Sequence, residues 1–267
     1  MRGAALRSSL ESALRGRVSA PFVYRDRRYA ETVPSGIAEI DSLAGGLPRG
    51  CLTEICGPPC SGLTSVLLSA LAERTAQRDA CALVDGRDAF DPPAAEASGV
   101  RLKNLLWVRC KNMEQSLRAT DLLLQGGGFG LIAVDLSDIP PETVRCVPLN
   151  AWFRFRRSVE NTATILLLLE QEPHAKTCAS LVFGLRADSA RWSVTAEVCG
   201  TGPHPGSSLL DGFSIHAKVL SARIKLAADI SAHRFALPGV PDDADAVFEA
   251  NTTWNFADPR AAKPKPK

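Results

Sequence analysis

Leu52-Thr53-Glu54-Ile55-Cys56-Gly57-Pro58-Pro59-Cys60-Ser61-Gly62-Leu63-Thr64-Ser65 is the stretch from which the fold is read. A short apolar strand runs into a glycine-rich turn. The pattern then predicts a helix from Thr64 to Gln77, with Val66, Leu67, Ala70 and Leu71 on its apolar side. The spacing is that of a phosphate-binding loop, G-x-x-x-x-G-K-[S/T], except that Leu63 occupies the lysine slot. In such a loop successive backbone N–H groups converge on phosphate oxygens. The helix N-terminus adds partial positive charge, and the threonine hydroxyl faces Mg²⁺. Gly57, Pro58, Pro59, Ser61, Gly62, Leu63, Thr64 and Ser65 are the expected nucleotide-site residues, with Thr64 on the metal side. Leu63 removes the ammonium that would reach the β- and γ-phosphates. One charge-assisted hydrogen bond is worth about 1.5–3 kcal/mol, so its loss costs about one to two decades of nucleotide affinity.

Downstream of the loop, apolar runs alternate with helical stretches. Ala80–Asp85, Leu105–Val108, Leu131–Asp135 and Thr164–Leu169 read as strands buried on both faces. Met113–Leu124 and a long stretch from Pro140-Pro141 to about Glu160 read as helices, and Asp88–Ser98 as a short helix interrupted by Pro92-Pro93. Past Glu170 the pattern changes to Ser180–Arg186, Trp192–Val198 and Ile215–Leu226, three alternating strands. The fold class expected is therefore α/β, a mostly parallel central sheet flanked by helices, with antiparallel strands at the C-terminal end. Asp135 follows four apolar residues, the form of an acid that holds the Mg²⁺ shell through water. The expected organisation is an amphipathic helix and linker over 1–30, a core over 31–235 and a flexible tail over 236–267. Eight cysteines without a C-x-x-C pair read as reduced, buried thiols of a cytoplasmic protein. No apolar run is long enough for a bilayer, and no secretory signal is expected at the start.

Thr32-Val33-Pro34-Ser35-Gly36, then Asp41, Gly45-Gly46-Leu47-Pro48-Arg49-Gly50 and Glu54-Ile55-Cys56-Gly57-Pro58 resemble the entry to the bacterial RecA recombinase core. Cys81–Pro92 and the segments around Gly99-Val100 and Asn104-Leu105-Leu106 continue the resemblance, which covers roughly residues 30–230. It implies a RecA-like P-loop NTPase core and a family of ATP-driven filaments that pair DNA strands. The departures are as telling. The family's water-activating glutamate corresponds to Arg87, with Asp88 beside it as a partial substitute. The family's glutamine sensor is matched by Gln171, but only Glu172–Cys178 separates it from the next strand, where the family has a long DNA-binding loop. The loop after Asp135 is cut to Ser137–Pro141. Such short relatives resemble the ImuA-type accessory proteins of damage-induced, error-prone synthesis. That resemblance implies translesion polymerase proteins and RecA-like subunits as partners, and no membrane. No cofactor is required by this reading; the nucleotide site is either a relic packed by Leu63 or a weak ATP/Mg²⁺ site. The competing readings are a working DNA-dependent ATPase and a non-DNA interaction protein such as a division inhibitor.

Three basic segments are the candidates for weak, non-specific DNA contact, the arginine-rich N-terminus among them. Arg154, Arg156 and Arg157 interleave with Trp152, Phe153 and Phe155, and Lys218, Arg223 and Lys225 lie in the last strand. The bland alternative for the first is a helix with core aromatics and solvated arginines. Residues 1–30 carry seven arginines against Glu11 and Asp26 beside a Leu6-Leu10-Leu14 stripe, suited to docking on its own domain or on a neighbouring subunit. Trp254 and Phe256, after the acidic Asp242–Glu249, read as a partner anchor or as a tail folded back. The histidines, His174 included, show no ligand spacing and read as ordinary polar residues.

Overall fold

The computed structural model describes residues 31–194, 208–223 and 245–251. Within them the chain runs β1 (Thr32–Val33), α1 (Ala38–Ala44), β2 (Leu47–Pro48), β3 (Cys51–Cys56), α2 (Leu63–Ala76), β4 (Cys81–Asp85), α3 (Pro92–Ala97) and β5 (Leu105–Arg109). It continues with α4 (Met113–Gly126), β6 (Leu131–Asp135), α5 (Pro141–Arg145), α6 (Leu149–Val159), β7 (Ile165–Glu170), β8 (Leu181–Val194), β9 (Ser208–Ala222) and β10 (Asp245–Asn251). Eight strands form one sheet in the order β5-β4-β6-β7-β3-β8-β9-β10. Every pairing from β5 to β8 is parallel; β9 then adds antiparallel to β8, and β10 antiparallel to β9.

The period-two alternation of a strand divides the core into two layers. Ile55, Leu83, Leu131, Leu167, Leu169 and Phe183 point to the side covered by α1 and α2, with Ile40, Leu67 and Leu71. Leu52, Val84, Ile132, Leu166, Leu168 and Val182 point to the side covered by α4 and α6, with Trp152 and Phe155. Strands buried on both faces have no polar face, which is why they read as continuous apolar runs. The same alternation puts Glu54 and Glu170 on the α6 side, under the connection from β7 to β8.

Four expectations are corrected. The stretch from Pro141 to Glu160 is two helices, because Pro148 bounds α6 at its N-cap. Pro92 and Pro93 start α3 rather than interrupt it, since a proline in the first turn gives up an N–H with no partner there. Asp245–Asn251, expected in a flexible tail, is a strand on β9 whose Phe248 is buried in the α1–α2 layer. Two of the three strands read past Glu170 also merge: Leu181–Val194 is one strand whose register slips at three places. The N-terminal helix candidate, Lys225, and Trp254 with Phe256 lie outside the described residues.

The placement of β10 has a measurable consequence. Replacing Phe248 by alanine in the core layer costs about 3–5 kcal/mol of unfolding free energy. The same change in a solvated tail shifts it by less than about 0.5 kcal/mol. Chemical denaturation of Phe248→Ala reads the difference directly.

Candidate functional site

β3 delivers the chain to Gly57 at the C-terminal edge of the parallel strands, where the Gly57 N–H donates to the Glu170 carbonyl, 3.1 Å. The turn that follows depends on two glycines. A Cβ on Gly57 would stand 2.4 Å from Ser61 Oγ and 2.6 Å from the Leu185 carbonyl oxygen. Gly62 has φ +93°, and a Cβ there would stand 2.2 Å from Ile215 Cδ1. Leu63, the first residue of α2, is 6% exposed and packs into the same cluster as Ile215, Ala217 and Phe248. The turn thus depends on both glycines, and Leu63, at the position expected for a lysine, packs among apolar side chains.

A cleft of about 330 Å³ opens beside the loop. Residues Pro58 to Ser65 line one side; Ser137 and Asp138 from the end of β6 and Phe213, Ile215 and Ala250 from β9 and β10 line the rest. Ser61 Oγ is buried with no hydrogen-bond partner, and Thr64 is exposed in the first turn of α2. Backbone donors and free hydroxyls suit a phosphate. The charge does not: among the described residues no lysine or arginine lines the cleft, and Asp138 does. A magnesium triphosphate does not fit this lining as a reactive group, because no described residue of the lining neutralises the transferring phosphoryl group.

Asp135 and Gln171 stand behind the cleft rather than in it. Asp135 accepts from the Ser137 backbone N–H, 3.0 Å, and from its hydroxyl, 2.6 Å. Burial pushes the Asp135 carboxyl up from its ordinary value, and the Ser137 bonds oppose the shift. Gln171 donates its amide to the Ser137 carbonyl, 2.7 Å. The two expected site residues are therefore joined through Ser137, which sequence spacing did not single out. In the turn after β4, Arg87 is exposed. Asp88, the partial substitute for a base, takes a two-point bond from Arg109 at 2.6 and 2.5 Å, which lowers its pKa and spends both oxygens. Asp85 does the structural work of this turn: its carboxylate accepts from the N–H groups of Arg87, Ala89 and Phe90 and from Trp107 Nε1.

The basic candidates do not form one surface. Trp152 and Phe155 are core residues in edge contact, while Phe153 is 46% exposed. Arg154 pairs with Asp121 on α4 at 2.8 Å, and Arg157 is exposed. Arg156 donates to the Thr177 carbonyl, 3.1 Å, and the Arg223 N–H to the Ser180 carbonyl, 2.8 Å; both guanidinium charges act on the Cys178 thiol. Arg156 and Arg223 are thus brought together at the β7–β8 connection. Lys218 lies within the β9–β10 ladder, in register with Asp245.

The largest group missed in the sequence is a buried ionisable cluster on the α6 side of the sheet. Glu54 Oε1 accepts from the N–H groups of His174, 2.6 Å, and Ala175, 3.0 Å. Glu170 Oε2 lies 2.7 Å from His174 Nδ1. His174 is therefore no ordinary surface histidine. The available signal was an acid in the middle of an apolar strand and a histidine four residues past another.

Comparison with known proteins agrees with this architecture. Residues 20–143 match the family described as RecA N-terminal domain. Over 107 residues the chain is 41% identical to Protein RecA of Brucella anthropi, covering 39% of this chain and 30% of that one. Over 111 residues it is 40% identical to Protein RecA of Symbiobacterium thermophilum, covering 41% and 32%. Over 106 residues it is 42% identical to the DNA repair protein recA homolog 1, chloroplastic, of Arabidopsis thaliana, covering 39% and 24%. The aligned part spans a third or less of each relative's length. The core is RecA-like. No helix among the described residues is long and apolar enough to cross a membrane.

Proposed function

We propose that this RecA-like chain is a non-hydrolysing accessory in DNA repair and damage-induced (SOS) translesion mutagenesis, acting through protein contacts and weak, non-specific DNA binding. The observation that carries the reading is the cleft beside the phosphate loop. Its glycines are kept, its lysine slot is the packed Leu63, and no described cation lines it. A chain with Arg87 exposed and Asp88 held by Arg109 also lacks an aligned base for the attacking water. Such a domain keeps the family's surfaces while losing its motor. The β7–β8 connection, short and pinned to the sheet, supports the same reading, since strand exchange needs loops free to enter DNA.

The test is capture of the tagged full chain from cells before and after DNA damage. Recovery of translesion polymerase subunits after damage supports the accessory role; their absence removes it. The second reading, a DNA-dependent ATPase in recombination, draws on the 41% identity to RecA proteins. It requires DNA-stimulated ATP turnover and strand exchange.

DNA contact in this scheme is made by phosphate-facing arginines, with Arg156, Arg157 and Arg223 the described candidates. The expected result is sequence-indifferent binding that weakens by about 0.9 decades per phosphate contact for each decade of salt on duplex. Arg157→Ala should lower the salt slope by about one contact. Titration of a labelled oligonucleotide at several salt concentrations measures both, and a sequence preference or a flat salt response contradicts this mode of binding.

A further inference from the structure

We propose that the buried Glu54–Glu170–His174 cluster is a latch that holds the β7–β8 connection against the sheet and loosens as the cluster gives up its protons. The geometry comes first. Glu54 on β3 and Glu170 on β7 are both fully buried on the face that the connection covers. One Glu54 oxygen receives two consecutive backbone N–H groups of the connection, and one Glu170 oxygen receives the His174 ring. The other oxygen of each, Glu54 Oε2 and Glu170 Oε1, has no hydrogen-bond partner among the described residues. Two carboxylates with an orphan oxygen apiece cannot both stay ionised in a dry layer at low cost.

The neighbours offer little compensation. From β3, the Cys56 thiol is pushed up to about 12, first by burial and then by Glu54 and Glu170, so it adds no charge. From the connection, Glu172 is turned to Arg145, and the buried Cys178 thiol is itself raised, by burial. From α6 and the end of β9, Arg156 and Arg223 act on Cys178 rather than on the carboxylates. His174 is thus the one cation bonded to the pair among the described residues.

The direction follows from linkage. Burial raises Glu170 to about 7, with the Glu54 charge adding to it and His174 opposing it. Burial raises Glu54, and the Glu170 contact raises His174. All three hold protons more tightly closed than open. The stabilisation is fully present below the ordinary carboxylate value of 4.5 and is lost as pH rises through about 7.

Hydrogen exchange of the His174 and Ala175 amides in the full chain tests the latch, with intrinsic rates taken from an unstructured peptide of the same sequence. Protection is expected to fall at least tenfold from pH 5.5 to pH 8, while the amides of β6 keep theirs. In Glu170→Gln the pH response of the two amides should flatten. Should that variant fail to fold, Glu54→Gln keeps an acceptor for both N–H groups and should shift the midpoint to lower pH. Protection independent of pH, a Glu170→Gln slope like that of the parent, an unmoved Glu54→Gln midpoint, or equal loss in β6 would each overturn the latch.

Discussion

Supplied with ATP and magnesium, the protein is expected to turn over no faster than its Thr64→Ala variant, with or without single-stranded DNA. Two absences combine to give this result. The lysine slot is Leu63, buried in the α1–α2 layer, so the transferring phosphoryl group meets no ammonium. In the resemblance to RecA proteins the base position corresponds to Arg87, and loss of a general base alone removes about two to four decades. Asp88 does not substitute, because Arg109 occupies both its oxygens and lowers its pKa. Turnover clearly above the Thr64→Ala control, in a phosphate-release assay, contradicts the non-hydrolysing reading. Leu63→Lys separates binding from chemistry. It should raise nucleotide affinity by about one to two decades while leaving hydrolysis flat. It should also lower stability, because a buried leucine contributes about 1.5–3 kcal/mol that the lysine gives up. A fluorescent-nucleotide titration and a melt on the same sample report the two effects.

Trp152→Ala should cost about 3–5 kcal/mol of stability, and Phe153→Ala less than about 0.5 kcal/mol. The pair matters because both aromatics sit in the same basic-aromatic stretch, and one sequence pattern admits two roles. Trp152 is 2% exposed and packs edge-on against Phe155, whereas Phe153 faces solvent beside Arg154 and Arg157. In a domain of this size each kcal/mol moves Tm by about 2–4 °C, so the two melts should be well separated. A DNA titration then completes the comparison. If Phe153 stacks on bases, Phe153→Ala weakens single-strand binding by about 1–3 kcal/mol without touching the fold. An unchanged affinity leaves α6 with its arginines alone.

How far the sequence carries can be judged element by element. Leu131–Asp135 was legible to the residue, since a strand buried on both faces reads as an unbroken apolar run, here closed by one acid. The glycine turn between β3 and α2 was equally legible, because its glycines answer to local geometry. β10 was not. Val247 and Phe248 are its two large apolar residues, and they sit among acids and alanines after a proline-rich stretch. What makes the segment a strand is a neighbour far along the chain, the β9 edge that buries Phe248. β8 was split for a related reason: its middle, Ala187 to Arg191, is exposed and polar, and continuity comes from the ladder to β9. The Glu54–His174 bonds were hidden too, since period two locates Glu54 on a face but does not say which loop lies over it. Local chemistry was readable; long-range company was not.

The central position of β3 has a consequence for how the molecule is made. It is the first long strand among the described residues, and both its sheet partners, β7 and β8, arrive much later. The Cys56 thiol, for example, meets the Phe183 carbonyl 127 positions downstream. During synthesis this apolar segment must therefore wait, unpaired on both edges, while most of the remaining domain leaves the ribosome. Closing contacts of such separation makes the search slow and leaves a bare strand open to pairing with other chains. The nascent chain should lean on holding chaperones, and refolding from denaturant should give a yield that falls as protein concentration rises.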